Sequence, residues 1–292
     1  MMTYVGLCLR NGCRSRWTRS VSMAAAAWLV VSLGTLSFGT SFCFADEPDE
    51  GDDTKDANKA KLQALIAAFD DVEITVGEDR APLKFHKTPV LNWPNITRGT
   101  IVGGTFIWTK DERPEVIGCL YDWEGRGIWF GIQAVSSPNL VARKGGGIFW
   151  RSKKPDVEFI KLDGAPVPAD SPVKRLSQMK DSANRFRARV HVHTGGTEEL
   201  RLLTTPIYRY KSGETIDGAL FALVQGTDPE VILHLEANRR KTDQGEETEW
   251  QYAISRRSGR PLDSMLDDKA IWSVELSQGA PNQPFYEAPL GQ

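Results

Sequence analysis

The tetrapeptide PEVI occurs twice in this chain. It lies within GGTFIWTKDERPEVIGCL at Gly103–Leu120 and within GALFALVQGTDPEVILHL at Gly218–Leu235. One fixed offset aligns Gly103 with Gly218, Phe106 with Phe221, Pro114–Ile117 with Pro229–Ile232, and Leu120 with Leu235. After a longer loop in the second copy, Trp129 matches Trp250 and Trp150 matches Trp272. Pro138-Asn139-Leu140 corresponds loosely to Pro261-Leu262-Asp263. Both copies follow one grammar: strand, turn ending in proline, strand, strand opening with tryptophan, short helix or turn, strand ending in tryptophan. Proline fixes φ and keeps the turn out of a ladder. Val and Ile suit a pleated surface, and the tryptophans are large enough to seal the edge of a core. One such sheet cannot bury both its faces alone. The pattern therefore predicts two halves, about 103–151 and 218–274, packed together as a barrel or sandwich. Two copies make a duplicated half-domain rather than a solenoid; the competing explanation is two generic hairpins with chance matches.

The rest of the chain reads as α+β, mainly antiparallel β. Leu62, Leu65, Ile66 and Phe69 recur at helical spacing, and Val72, Ile74 and Val76 then alternate as a strand. Short aromatic or β-branched segments predict strands near 105–109, 115–121, 128–134, 147–150 and 157–161. Ser171-Pro172 has the form of an N-cap followed by proline at the first helical position. Val173, Leu176, Met179, Ala183 and Phe186 continue that helix. A second set of strands is expected near 186–193, 199–203, 207–210, 218–225, 230–237, 249–256 and 271–275. The single β-rich domain is expected over 61–280, and residues 281–292 read as a loose tail.

The N-terminal segment gives an address. Arg10, Arg14, Arg16 and Arg19 precede the apolar stretch from Met23, and Cys43-Phe44-Ala45 offers small residues for cleavage. This predicts a signal peptide over 1–45 and an exported, periplasmic or extracellular protein. Gly34, Thr35, Ser37, Gly39, Thr40 and Ser41 interrupt the apolar run, which argues against a retained span. Translation from Met23 is the other possible start, but it would strip away the basic residues. The chain carries 36 basic and 38 acidic residues. The four leader arginines leave with the leader, and Asp46–Asp56 holds seven acids and only Lys55. Residues 46–60 are therefore expected to be an acidic, disordered tether. The remaining body has 31 charges of each sign, which offers no footprint for nucleic acid. Cys119 is the one cysteine left beyond the leader, so no internal disulfide is expected. Its setting in VIGCLY predicts a buried thiol.

The stretches ELRLLTTPIYRY (199–210), DGALFALVQGTDPEVILHLEA (217–237), WQYAISR (250–256) and AIWSVE (270–275) resemble a family of uncharacterised exported proteins from planctomycete-type bacteria. The resemblance spans roughly 85–275. It implies export and the extent of the domain, and carries no activity.

Three sets of residues are candidates for chemistry. RVHVHTGGTEEL places His191 and His193 on one face of a strand with Glu198 beyond a glycine turn, and PEVILHLEAN adds His234 and Asn238. This resembles the cupin metal pattern, which would hold iron, manganese or zinc. Arg185, Thr205 and Val231 stand where that pattern has glycines. A second set, Ser136, Ser137, Arg143 and Lys144, could meet a phosphate if the strand order were that of a flavin-binding split barrel. The third is aromatic: Trp93, Trp108, Trp123, Trp129, Trp150, Trp250 and Trp272, with Trp123 in the turn YDWEGRG as the best exposed candidate for stacking on sugar rings. There is no GxSxG, P-loop, HExxH or CxxC. The leading expectation is a non-catalytic binding or structural module without a cofactor, with polysaccharide or an envelope protein as partner. The alternative is a cupin-like metalloenzyme using His191, His193, Glu198 and His234.

Overall fold

Two runs of antiparallel strands, each opened by a helix, make up the described part of the chain. The computed structural model describes residues 50–290, apart from 78–79, 96–100, 124, 193–194 and 244. The expected signal peptide, 1–45, lies outside the described residues. The first series is α1 (Glu50–Ala67), β1 (Val72–Val76), β2 (Ala81–Pro82), β3 (Lys84–Phe85), β4 (Leu91–Asn95), β5 (Ile101–Lys110), β6 (Arg113–Trp123), β7 (Gly127–Ala134), β8 (Leu140–Lys144), β9 (Gly147–Ser152) and β10 (Ile160–Lys161). The second is α2 (Pro172–Ala183), β11 (Phe186–His191), β12 (Thr197–Glu199), β13 (Arg201–Leu202), β14 (Tyr208–Ser212), β15 (Thr215–Gln225), β16 (Asp228–Thr242), β17 (Gly245–Arg256), β18 (Leu262–Leu266), β19 (Lys269–Val274) and β20 (Phe285–Pro289).

The strands form two small and two large sheets. The small sheets run β2-β1-β8-β9 and β12-β11-β18-β19. The large ones run β20-β7-β6-β5-β3, with β4 also on β5, and β10-β17-β16-β15-β13, with β14 also on β15. The orders are the same except at one edge. There β20, from the end of the second series, completes the first large sheet, while β10 completes the second.

Alternation along the central strands explains the layering. Phe106, Trp108, Val116 and Leu120 face a core shared with α1 and the first small sheet. Phe221, Leu223, Leu233 and Leu235 face the matching core under α2 and the second small sheet. The intervening residues Ile107, Ile117, Leu220, Ala222 and Ile232 form a third cluster, where the two large sheets meet. Strands buried on both faces read as continuous apolar runs, which is why Phe221–Val224 and Val231–Leu233 lack a polar alternate. The fold is α+β, mainly antiparallel β, and sandwich-like.

The repeated prolines have a local cause. Thr109 pairs with Pro114 and Val224 with Pro229, and in both hairpins the register shifts at that pair. A residue without an N–H is tolerated where a bulge already interrupts the ladder. The prolines thus lie inside strands rather than ending turns. The turn before Pro114 holds Asp111 and Glu112 at φ 50° and 66°, as a tight hairpin requires.

The repeated glycines also correspond. Trp93 pairs with Gly103 and Tyr210 with Gly218, and each ring lies over its glycine. A Cβ at either position would sit 2.5 Å from a ring carbon. Tyr210 cannot easily retreat, because its hydroxyl donates to Glu236 at 2.6 Å. Gly218→Ala is therefore expected to cost about 1–3 kcal/mol, read from the urea midpoint. An unchanged midpoint would contradict this packing.

Four expectations are corrected. The acidic segment 46–60 is helical from Glu50 onward; residues 46–49 lie outside the described residues. The positions expected to be a short helix or turn are β8 and β18, which leave the large sheets to pair with β1 and β11. The tail is not loose from 281: β20 pairs with β7, Phe285 is buried, and the Trp150 indole N–H donates to Gln283 O at 2.8 Å. In α2, Val173 is exposed, and Arg175 takes the buried place beside Met179 and Ala183. Arg175 is held there by Asp217 at 2.8 Å and by the carbonyls of Ala169 and Asp170. No helix among the described residues is long and apolar enough to cross a membrane.

Candidate functional site

β6 leaves the core at its end. Its residues are buried from Pro114 to Leu120, and Tyr121, Asp122 and Trp123 then emerge half-buried. Trp93, laid over Gly103, comes alongside them. Ring centroids run Trp93 to Tyr121 at 5.8 Å, Tyr121 to Trp123 at 6.5 Å, and Trp123 to Trp129 at 5.4 Å. The Arg126 guanidinium lies 4.3 Å from the Trp123 ring. Trp93, Tyr121 and Trp123 of this row form one wall of a cavity of about 360 Å³.

The second series completes the lining. It supplies Asp228 and Pro229 from the start of β16, Arg257–Arg260 after β17, Leu276 and Ser277 after β19, and Glu287 from β20. Leu276 is 54% exposed at this site. Tyr121 donates its phenolic proton to Glu287 Oε1 at 2.8 Å. Burial pushes the Glu287 carboxyl up, against the Tyr121 hydrogen bond and the Arg257 charge. Burial also raises the Tyr121 phenol, with the Glu287 charge adding to it.

Two further groups line this cavity. Cys119 is buried, and desolvation pushes its thiol up to about 12, so it stays protonated and is a poor nucleophile. The Arg257 guanidinium is 3% exposed and donates from Nη1 to Ile117 O at 3.1 Å. Its Nε and Nη2 have no hydrogen-bond partner. Arg260, beside it, is engaged by Gln225 at 2.7 Å and by Glu230.

The histidine set is not assembled. His191 lies on the outward face of β11, alternating with the buried Phe186, Ala188 and Val190, and its Nε2 is 2.6 Å from Asp263. His234 is fully buried in β16, its Nε2 2.9 Å from Ser255. Burial drives its pKa down to about 4, so the imidazole is neutral at pH 7. The core beneath α2 separates the two histidines. Glu198 is bound to Gln225. His193 lies outside the described residues. Among the described residues, no three His, Cys, Asp or Glu side chains group to hold a metal.

The second set is spent on structure. Ser136 donates to Pro114 O at 2.9 Å, Arg143 to Thr75 at 3.3 Å, and Lys144 to Asp71 at 2.7 Å. Of the tryptophans, Trp93, Trp108, Trp150 and Trp250 are buried. Trp93 and Trp123 line the cavity, and Trp123 is half-buried there rather than exposed. Compared with protein-family models, curated proteins and solved structures, the chain matches none.

Proposed function

We propose that this chain is an exported, non-catalytic binding module whose aromatic cavity takes a polysaccharide of the cell envelope or its surroundings. The observation that carries this reading is one cavity lined by Trp93, Tyr121 and Trp123 together with Asp228, Arg260 and Glu287. Indole and phenol faces stack on the apolar face of a pyranose ring. Planar acids and guanidinium groups take the hydroxyls at its edge. Export is supported by the basic, apolar and small-residue run of the leader.

The reading includes a tandem duplication of one ancestral unit. Its support is the shared strand order, the bulge at Pro114 and again at Pro229, and the aromatic-over-glycine pairs at Gly103 and Gly218. The cavity draws on both copies.

Calorimetric titration of the purified chain against a polysaccharide panel tests the function. At least one member is expected to bind, and Trp123→Ala to weaken that binding about tenfold with the fold intact. Binding that is indifferent to Trp123→Ala would move the site elsewhere. Release of reducing ends during the titration would overturn the non-catalytic part.

A further inference from the structure

The unpartnered edge of Arg257 names the kind of sugar. Nε and Nη2 share one side of the guanidinium, so their N–H groups point the same way as a two-pronged fork. Both lack a partner, although the side chain is 3% exposed and lines the cavity. A buried guanidinium donor left unpaired carries a desolvation penalty that an incoming anion removes. We propose that the cavity recognises an acidic saccharide, a uronic acid residue whose carboxylate takes Nε–H and Nη2–H of Arg257 while its ring lies against the aromatic wall. This rests on the saccharide reading of the same cavity.

The neighbouring acids make no hydrogen bond to that buried fork. Glu287 is turned to Tyr121 and takes a backbone N–H from Gly259. It acts on Arg257 as a neighbouring charge, with no hydrogen bond to Nε or Nη2. Burial raises its pKa against the Tyr121 hydrogen bond and the Arg257 charge. Arg260 adds positive charge nearby, although Glu230 and Gln225 hold it. A carboxylate has two coplanar oxygens for two coplanar donors, and the flat ring behind it fits a wall of flat rings. Lysine cannot reproduce this geometry, because an ammonium is a point charge.

The test uses the full chain and titrates oligomers of galacturonate, glucuronate and mannuronate. Each is compared with its methyl ester and with a neutral oligomer of the same length, and a sulfated galactan is included. A free uronate oligomer is expected to bind at least about tenfold tighter than its own ester. Arg257→Lys is expected to erase that preference while leaving ester binding in place. The comparison of acid with ester needs no variant, so a misfolded Arg257 mutant does not block it. Equal affinity for acid and ester overturns the acidic preference and leaves the saccharide reading standing. A preference that survives both Arg257→Lys and Arg257→Gln places recognition on another group and overturns the assignment. Tighter binding of the sulfated galactan than of every uronate also overturns it. No binding by any saccharide removes this inference together with the reading beneath it.

Discussion

Glu236→Ala is expected to cost the fold about 3–5 kcal/mol, a large part of the stability of an ordinary domain. The carboxylate is 1% exposed on β16. It accepts two hydrogen bonds from Arg113 of β6, at 3.0 and 3.1 Å, and one from the Tyr210 hydroxyl at 2.6 Å. Asn238 and Thr215 donate at 3.1 and 3.4 Å. Alanine would strand a largely buried guanidinium and a buried phenol together. It would also cut the one bidentate bond described here between β6 of the first series and β16 of the second. Glu236→Gln keeps the shape and loses the charge, so its cost should be smaller. Urea unfolding followed by fluorescence gives both values. A Glu236→Ala midpoint equal to that of the parent would contradict the network.

The same network sets an acid limit. Burial alone would raise the Glu236 pKa, but the Arg113, Tyr210 and Asn238 hydrogen bonds and the Arg113 charge outweigh it and hold the value below 4.5. The stability it contributes is present above the unfolded value, and is lost as pH falls through the lowered one. His234 acts earlier. Its folded pKa is about 4 against 6.5 when free, so the unfolded chain takes up that proton first. Stability from His234 is therefore complete above about pH 6.5 and declines toward pH 4. Melting temperatures should fall steadily over that interval, and Glu236→Ala should flatten the curve below pH 4.5.

Trp108→Ala is the second large effect, expected at about 3–5 kcal/mol. The indole is 1% exposed. It stacks on Phe85 at 4.7 Å, tilts against Phe69 at 5.8 Å, and covers Gly118, where a Cβ would lie 2.6 Å from the ring. Trp108→Phe should cost far less than its loss of volume implies. The buried Nε1 has no hydrogen-bond partner, so phenylalanine removes an unsatisfied donor along with the atoms. Denaturant midpoints of the two variants decide this. Equal losses would mean that the indole nitrogen is satisfied after all.

The sequence shows some of this plainly and hides the rest for physical reasons. Pro114 with Pro229, and Gly103 with Gly218, are visible because a bulge and an aromatic ring over a glycine each demand one residue type. β8 and β18 are hidden, since LVARK and LDSML carry few β-branched or aromatic residues and owe their conformation to β1 and β11. β20 is hidden by the prolines and glycine around it, although sheet pairing and the burial of Phe285 order it. His191 and His234 look paired by spacing, but strand alternation and the core beneath α2 put them apart. Trp123 is legible as an aromatic beside a turn, although it ends β6 half-buried. Glu287 is not legible, because only the exchange of β20 onto the first large sheet brings the tail to the cavity.

A crystal structure of the chain with a bound oligosaccharide tests the central claim most directly. A pyranose ring should lie against Trp123 at about 3.5–4 Å, with its polar edge toward Asp228, Arg257 and Glu287. A sugar seated elsewhere, with the aromatic cavity left empty, would contradict it.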